Sequence, residues 1–516
     1  MSERIPIAKG FLEKLLKPVN RLSESCILKS DNSGLYTICS SSDNTVILYA
    51  KIKLPNVIEN NVRLNLINIK KEIHLNKLFI LDDIKVIMRI LIQLLFLCLA
   101  PSLLSQGFQV NFQGQKQQGM GCAGTALPRD ASSLFYNPGS AVFLNENSVI
   151  VGGTPVFANV LFIDSASNGA YRTNSPIGTP FSIYGMFQTK SSAKLKFGIA
   201  INTPFGSTIQ YEDGWIGRFA LTRLSLKAIF IQPTFAYRIS DNIGIGGGLV
   251  ISKGSVNLQK DIPLQDANGV YSHAELAGKA IGLGYNFGIH LKANAKLNIG
   301  IDYRSKINMK VNNGEVTFNV PNSLSANFPN GNFTSSLPLP SVLTIGAALR
   351  LNKLLTVVVD VNAVGWKVYD TLSFDYKQNT SSLSDTKSAR CYKNTFAFRG
   401  GMEWVALRCY SKSSSKEIMT EDAVVTKIPN HELLVRFGGG FGISPVQNGY
   451  VTPETPDANR SYGTIGLGYN FNQKTGIDLS LYYTKVKRAD TNIETQISGT
   501  YTTIAWCPGI SFYYRW

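Results

Sequence analysis

The chain has 516 residues, with 51 Lys/Arg against 34 Asp/Glu, a formal net charge of +17 and 44% hydrophobic residues. The basic residues are scattered along strands and loops, whereas a nucleic-acid binder would cluster them with aromatics on one element; a basic rim facing anionic lipid is the more natural use. After residue 105 the cysteines Cys122, Cys391, Cys409 and Cys507 form no CxxC, although an oxidising compartment would permit one bridge, and the histidines His273, His290 and His431 lie far apart. No metal site, no cofactor and no nucleophile–histidine pair is therefore expected, and the chain does not read as an enzyme.

Residues 1–87 are rich in Ile, Asn and Lys and show no strong periodicity. They read as a non-native upstream extension or a disordered segment, with Met88 as the true start. A small cytoplasmic domain tethered by an uncleaved segment is the rival. Residues 88–105 have the grammar of a signal peptide: Arg89, an apolar run from Ile90 to Ala100, Pro101, and the small residue Ser105 before Gln106. The run is about half of the roughly 20 residues that a spanning helix needs. Cleavage is expected between Ser105 and Gln106.

Residues 106–145 are dense in Gly, Ala and Ser and show no alternation. The apolar clusters Phe108/Val110/Phe112 and Leu134/Phe135/Tyr136 would be poorly placed in water, so the segment reads as a hatch of short helical turns inside a lumen. Pro138 after Asn137 should end one such turn.

Residues 146–516 are dominated by alternation of period two. In 296–310, Leu297, Ile299, Ile301, Tyr303, Ile307 and Met309 fall on one face, and Asn298, Asp302, Arg304, Lys306 and Lys310 on the other. Soluble sandwiches also alternate, but these strands run 10 to 15 residues, at or beyond the 9 to 11 that cross a bilayer at a tilt. Fourteen strands can be placed, near 147–163, 179–188, 195–203, 226–239, 242–256, 278–292, 296–310, 341–351, 354–366, 394–407, 432–443, 461–471, 475–488 and 502–516. Their number is even, and short turns such as 240–242, 294–296, 352–353 and 472–474 alternate with long loops such as 257–277 and 311–340. The fold class is an all-β transmembrane barrel of about 14 antiparallel strands in the cell outer membrane, with short turns toward the periplasm. The stretch 408–430 is long where a periplasmic turn should be short and reads as an insertion. Pro508 lies within the last strand, where a bulge is expected.

The run GFQ at 107, GMGCAGTAL at 119–127, DASSLFYNPG at 130–139, NTPFG at 202–206, YRSK at 303–306, LPSVLTIGAAL at 339–349 and SPVQNGYVTPETPDANR at 444–460 occur in an order that resembles the FadL/TodX family of outer-membrane transporters. The resemblance covers nearly all of 107–516. It implies passive uptake of long-chain fatty acids or other hydrophobic small molecules, captured at outer loops, passed to an internal apolar pocket beside a hatch, and released sideways at a kinked strand. On that basis Phe108 and Val110 would touch the pocket, and Phe135, Tyr136, Asn137 and Pro138 would form the hatch turn. Gly139 stands where the family pattern Asn-Pro-Ala has alanine. Asn202, Pro204 and Gly206 would mark the kink. Phe205, Trp215 and Phe219 would line a capture groove, and Arg218 or Lys227 could hold a carboxylate, with loop packing and a lipid-facing rim as the plainer roles. Each methylene buried in such a pocket contributes about 0.8 kcal/mol. The partners expected are the hydrophobic molecule, outer-membrane lipid and lipopolysaccharide, and the barrel assembly machinery, with the protein a monomer. The alternative is a FadL-like barrel serving a protein secretion apparatus of the type IX kind, with 408–430 as the place for a periplasmic partner.

Overall fold

The computed structural model describes residues 107–189, 192–409 and 431–516, and three short strands within 27–52. The signal-peptide segment, its cleavage site and residues 410–430 of the insertion lie outside the described residues. β1 (Ile27–Asp31), β2 (Gly34–Ser40) and β3 (Ile47–Ile52) form a three-stranded antiparallel sheet within the stretch that showed no strong alternation.

From residue 107 onward, three short helices, α1 (Gln115–Gly119), α2 (Ser133–Tyr136) and α3 (Pro138–Ala141), precede a closed antiparallel barrel. α2 stops at Tyr136. Asn137 then caps α3, its side chain accepting from the Gly139 N–H at 3.0 Å, with Pro138 at the first helical position, where its missing donor is not needed.

The first wall strand is β4 (Ser148–Gly153) continued by β5 (Phe157–Asp164), with β6 (Ala170–Arg172) on its edge. β7 (Phe181–Thr189), β8 (Ser192–Gln210), β9 (Arg223–Arg238), β10 (Ile243–Gln265) and β11 (Tyr271–Lys292) follow. The seventh strand is β12 (Leu297–Arg304) with β13 (Ile307–Asn319), and the eighth is β14 (Gly331–Leu339) with β15 (Val342–Arg350). β16 (Leu355–Val364) with β17 (Thr371–Tyr376), and β18 (Thr386–Ala389) with β19 (Thr395–Cys409), make the ninth and tenth. β20 (His431–Gly442), β21 (Arg460–Asn470), β22 (Thr475–Thr491) and β23 (Ser498–Arg515) complete fourteen, and β23 pairs back onto β4 and β5.

The two faces of each strand explain the membrane. On β11, Leu283 is 73% exposed and Tyr285, Phe287 and Ile289 also face outward, while Asn286 and His290 are buried in the lumen. A continuous apolar outer surface of this kind is costly in water and matches hydrocarbon.

Two expectations need correction. The stretches 257–277 and 311–340 are not loops throughout: β10 and β11 continue to a hairpin at 266–270, and β13 and β14 extend the seventh and eighth strands. Above the membrane a strand no longer needs an apolar outer face, so its alternation fades while its ladder continues. Nor does Pro508 create a bulge, because β23 pairs with β22 in unbroken register from Ser498 to Tyr514. On its other side β23 passes from β5 at Trp506 to β4 at Ile510, so Pro508 lies opposite the 154–156 break in the first strand, where no ladder bond is required.

Candidate functional site

The lumen is divided by the hatch, and glycines let the hatch lie directly on the wall. Gly121, at φ +70, sits so close to the Gly400 and Gly439 carbonyls that any Cβ would collide with them. A Cβ on Gly139 would stand 2.6 Å from the Gly288 carbonyl oxygen and 2.8 Å from that of Gly244. The departure from Asn-Pro-Ala therefore has a steric cause: backbone packs on backbone here, and alanine does not fit. Asn137 fixes the turn, its Nδ2 donating to the Thr125 and Ile289 carbonyls at 2.9 Å each. Phe135 lies under the Arg304 guanidinium at 4.0 Å, and Tyr136 packs edge-on against Phe135.

Charge fastens the other side of the hatch. Lys116 pairs with Asp130 at 3.0 Å and reaches Asp478 at 3.7 Å; Arg436 bridges Asp478 at 2.7 Å and Glu403 at 2.8 Å, and Arg129 meets Glu403 at 2.7 Å. Three cations and three anions thus form one neutral chain from the hatch into β19, β20 and β22. Burial alone would push the Asp130 carboxyl up, but Lys116 and hydrogen bonds from Ser132 outweigh it and hold the group below the usual range. Asp360 adds a further tie, accepting from the Gly124 N–H at 2.8 Å and the Thr125 N–H at 3.1 Å.

Above the hatch lies an apolar cavity of about 890 Å³ including its open mouth, lined by Phe108, Phe205, Leu226, Val256, Met309 and Leu337 among others. Phe108 meets Trp366 at 4.8 Å, Tyr369 at 5.8 Å and Phe205 at 6.1 Å, all edge-on. The polar end is self-compensated: Arg390 faces Glu454 at 3.3 Å, and both border the cavity. Lys227 borders it from an exposed position.

A second, open cavity of about 2080 Å³ shares Phe108, Phe205 and Lys227 with the first and runs to a split in the wall. β7 pairs with β8 only as far as Asn202, opposite Ser182. On its other edge β8 carries one extra residue between Asn202 and Phe205 relative to β9. Beyond the split the hatch strap takes over, the Val110 N–H donating to the Pro204 carbonyl at 2.8 Å and the Gly206 N–H to the Phe108 carbonyl at 3.2 Å. Gly107 donates to Asp457 at 3.1 Å; burial pushes that carboxyl up to about 6 against the pull of Arg460 and Ser444.

Phe108, Val110, Phe205, Asn202, Pro204 and Gly206 are therefore brought together. Trp215, Arg218 and Phe219 are not among the residues lining these cavities. Trp215 stacks on Tyr211 at 3.9 Å and donates through Nε1 to the Leu221 carbonyl at 2.7 Å. Arg218 donates to the Gly214 and Trp215 carbonyls at 3.1 and 3.2 Å and lies over Phe219 and Tyr271. They brace the loop between β8 and β9 against β5 and β11. Sequence reasoning did not single out Arg390, Glu454 or Tyr369, which border the apolar cavity from irregular loops with no periodic signal.

The family model described as "Outer membrane protein transport protein (OMPP1/FadL/TodX)" matches residues 96–407. The chain belongs to the FadL/TodX family. It is similar to the "Long-chain fatty acid transport protein" of Escherichia coli, 21% identical over 451 residues, which are 80% of this chain and 94% of that protein. It is also similar to "Outer membrane protein P1" of Haemophilus influenzae, 20% identical over 379 residues, covering 67% and 74%. Among solved structures, a Pseudomonas aeruginosa FadL homologue shares the fold at a TM-score of 0.64 and 16% identity, over 79% of this chain and 99% of that one. The Pseudomonas putida toluene transporter TodX does so at 0.58 and 14%, over 80% and 99%. As a FadL/TodX member the protein is an outer-membrane transporter of hydrophobic compounds and not an enzyme.

Proposed function

We propose that the protein takes up hydrophobic molecules such as long-chain fatty acids passively, through capture at the outer loops, the apolar cavity over Phe108, a hatch that yields at its leading strap, and exit through the split between β7 and β8. The observation that carries this reading is Phe108 itself, which walls the apolar cavity on one side and the open, split-facing cavity on the other. A molecule that displaces this ring, with Phe205 beside it, would pass from one to the other. Because Glu454 already compensates Arg390, a carboxylate would have to share that guanidinium, and affinity comes mainly from buried apolar surface. The relatives named for long-chain fatty acid and toluene transport support the same class of cargo.

The seating of Gly107 against the Trp366 ring, inside the lumen, supports a mature chain that begins at about Gln106, with 88–105 removed as a signal peptide and 1–87 not part of the working protein. N-terminal sequencing of the purified protein tests this, a start ahead of Met88 being the contrary result. The secretion alternative rests on 408–430, most of which lies outside the described residues, and no observation here favours it.

Deleting Pro204 removes the one extra residue of the β8 bulge and should let the ladder close. Uptake of labelled oleate by a strain lacking its own transporter should then fall at least about tenfold, with the barrel still heat-modifiable on gels. Undiminished uptake in a folded deletion variant would show that cargo does not leave through the split.

A further inference from the structure

On the outer face of the wall, four lysines from adjacent strands meet in two neighbouring rows. Lys227 of β9 and Lys279 of β11 both pair with Ser255 of β10; in the next row Lys253 of β10 pairs with Ile281 of β11, which pairs with Lys310 of β13. All four are exposed, and their sequence neighbours Ala228, Gly254, Ala280 and Met309 line the cavity on the opposite face of the wall. With strands about 4.8 Å apart, Lys227 and Lys279 stand roughly 10 Å apart across the sheet, as do Lys253 and Lys310. Among the described residues none of the four makes an ion pair.

Their height gives the cluster its meaning. Lys253 is ten residues beyond Ile243, the periplasmic start of β10. At about 3.3 Å per residue and a tilt near 40°, that is roughly 25 Å of vertical rise, the height of the apolar band of an outer-membrane barrel. Directly below come Leu249, Leu283 and Tyr285, which are 68%, 73% and 52% exposed. Directly above, the outward positions of β10 and β11 are Asn257, Gln259, Asp261, His273 and Glu275, with Glu315 opposite Ala277. One vertical stripe thus reads apolar, then cationic, then hydrogen-bonding.

We propose that this stripe is a docking surface for a phosphorylated glycolipid of the outer leaflet, of the lipopolysaccharide class. Its acyl chains lie along Leu249, Leu283 and Tyr285, its phosphates among the four lysines, and its sugars against the polar extension of β10 and β11. A free phosphate would use only the lysines, and a phospholipid would leave the polar extension unused. The order of all three zones selects the glycolipid. The proposal rests on the outer-membrane placement; Lys227, which also borders the uptake cavities beside the split, is left unchanged in the test variant so that the two readings stay separable.

The test uses the detergent-solubilised barrel with lipopolysaccharide, chemically dephosphorylated lipopolysaccharide, phosphatidylglycerol vesicles or inorganic phosphate, read by native mass spectrometry and by thermal shift. Lipopolysaccharide should bind the parent and raise its melting temperature, and K253Q/K279Q/K310Q should weaken binding at least about tenfold. K485Q/K487Q, which removes two lysines from β22, should bind like the parent. Equal binding of the dephosphorylated lipid, equal binding of phosphatidylglycerol, an equal effect of inorganic phosphate, or a triple variant within twofold of the parent would each overturn the proposal. Oleate uptake by the triple variant separates this from the transport reading: lost lipid binding with normal uptake is the expected result, while lost uptake with intact lipid binding would count against the docking surface.

Discussion

Against β19, β20 and β22 the hatch is held by a chain of six charges, all but Arg129 buried, whereas against β8 its leading residues make two main-chain hydrogen bonds and lean on aromatic rings. The first contact is interdependent, because removing its central member, Arg436, leaves two carboxylates short of a partner in a dry interior. The second consists of small independent terms that a ligand can replace one at a time. A plug built this way can stay fastened on one flank while its free end gives way on the other.

The comparison can be broken most forcefully at Arg436. Arg436→Ala leaves Glu403 and Asp478 without their shared partner and should cost about 3–5 kcal/mol, seen as early unfolding and as protease access to the hatch. A melting profile identical to the parent's would show that the charged flank does not hold the plug.

Acidity probes the strap flank next. The Asp457 carboxyl, pushed up to about 6 in the folded protein, has an ordinary value near 3.9 when unfolded. The folded state therefore binds the proton more tightly, and stability should decline as pH rises from about 4 through 6, by on the order of 2–3 kcal/mol, then level off. Asp457→Asn should remove that slope while leaving the response of the charged flank in place, and unfolding followed between pH 4 and 7 measures both.

Gly139→Ala tests whether close approach, and not only charge, seats the hatch. The added methyl meets two wall carbonyls and should destabilise by roughly 2 kcal/mol, although it restores the Asn-Pro-Ala pattern. A variant as stable as the parent would mean the turn can lift from the wall at no cost. The smallest effect is expected from Glu454→Gln, which frees Arg390 at the apolar cavity and should favour oleate over toluene by about tenfold in ligand competition. An unchanged preference would show that Arg390 does not meet the cargo.

The wall was legible in the sequence because membrane-facing alternation is written residue by residue, as in Leu283, Tyr285, Phe287 and Ile289 against Asn286 and His290. The strands above the membrane were less so, since β14 turns Phe333, Leu337 and Leu339 to the lumen and presents Asn332, Thr334 and Ser336 outward, with no apolar outer face to announce it. Phe108 and the 202–206 stretch could be found through resemblance. The charge chain could not, because Lys116, Arg129 and Asp130 meet Glu403, Arg436 and Asp478 only after the barrel has closed, and each alone reads as a solvated residue. For Trp215 a large aromatic in an outer loop suits ligand contact and loop packing equally in the sequence; in the fold its ring stacks on Tyr211 and its N–H donates to the Leu221 carbonyl.

The gap at 154–156 lies on the seam where the first and last strands join, and side chains of α1 bridge it. Gln115 donates to Thr154 Oγ1 at 2.9 Å, Thr154 donates to Gln118 at 3.1 Å, and Gln118 donates to the Cys507 carbonyl at 3.0 Å. Strand-to-strand pairing alone cannot finish this cylinder. An empty, unplugged barrel would therefore lack this lacing at the junction of its first and last strands, so the stopper also serves as part of the wall's own seal.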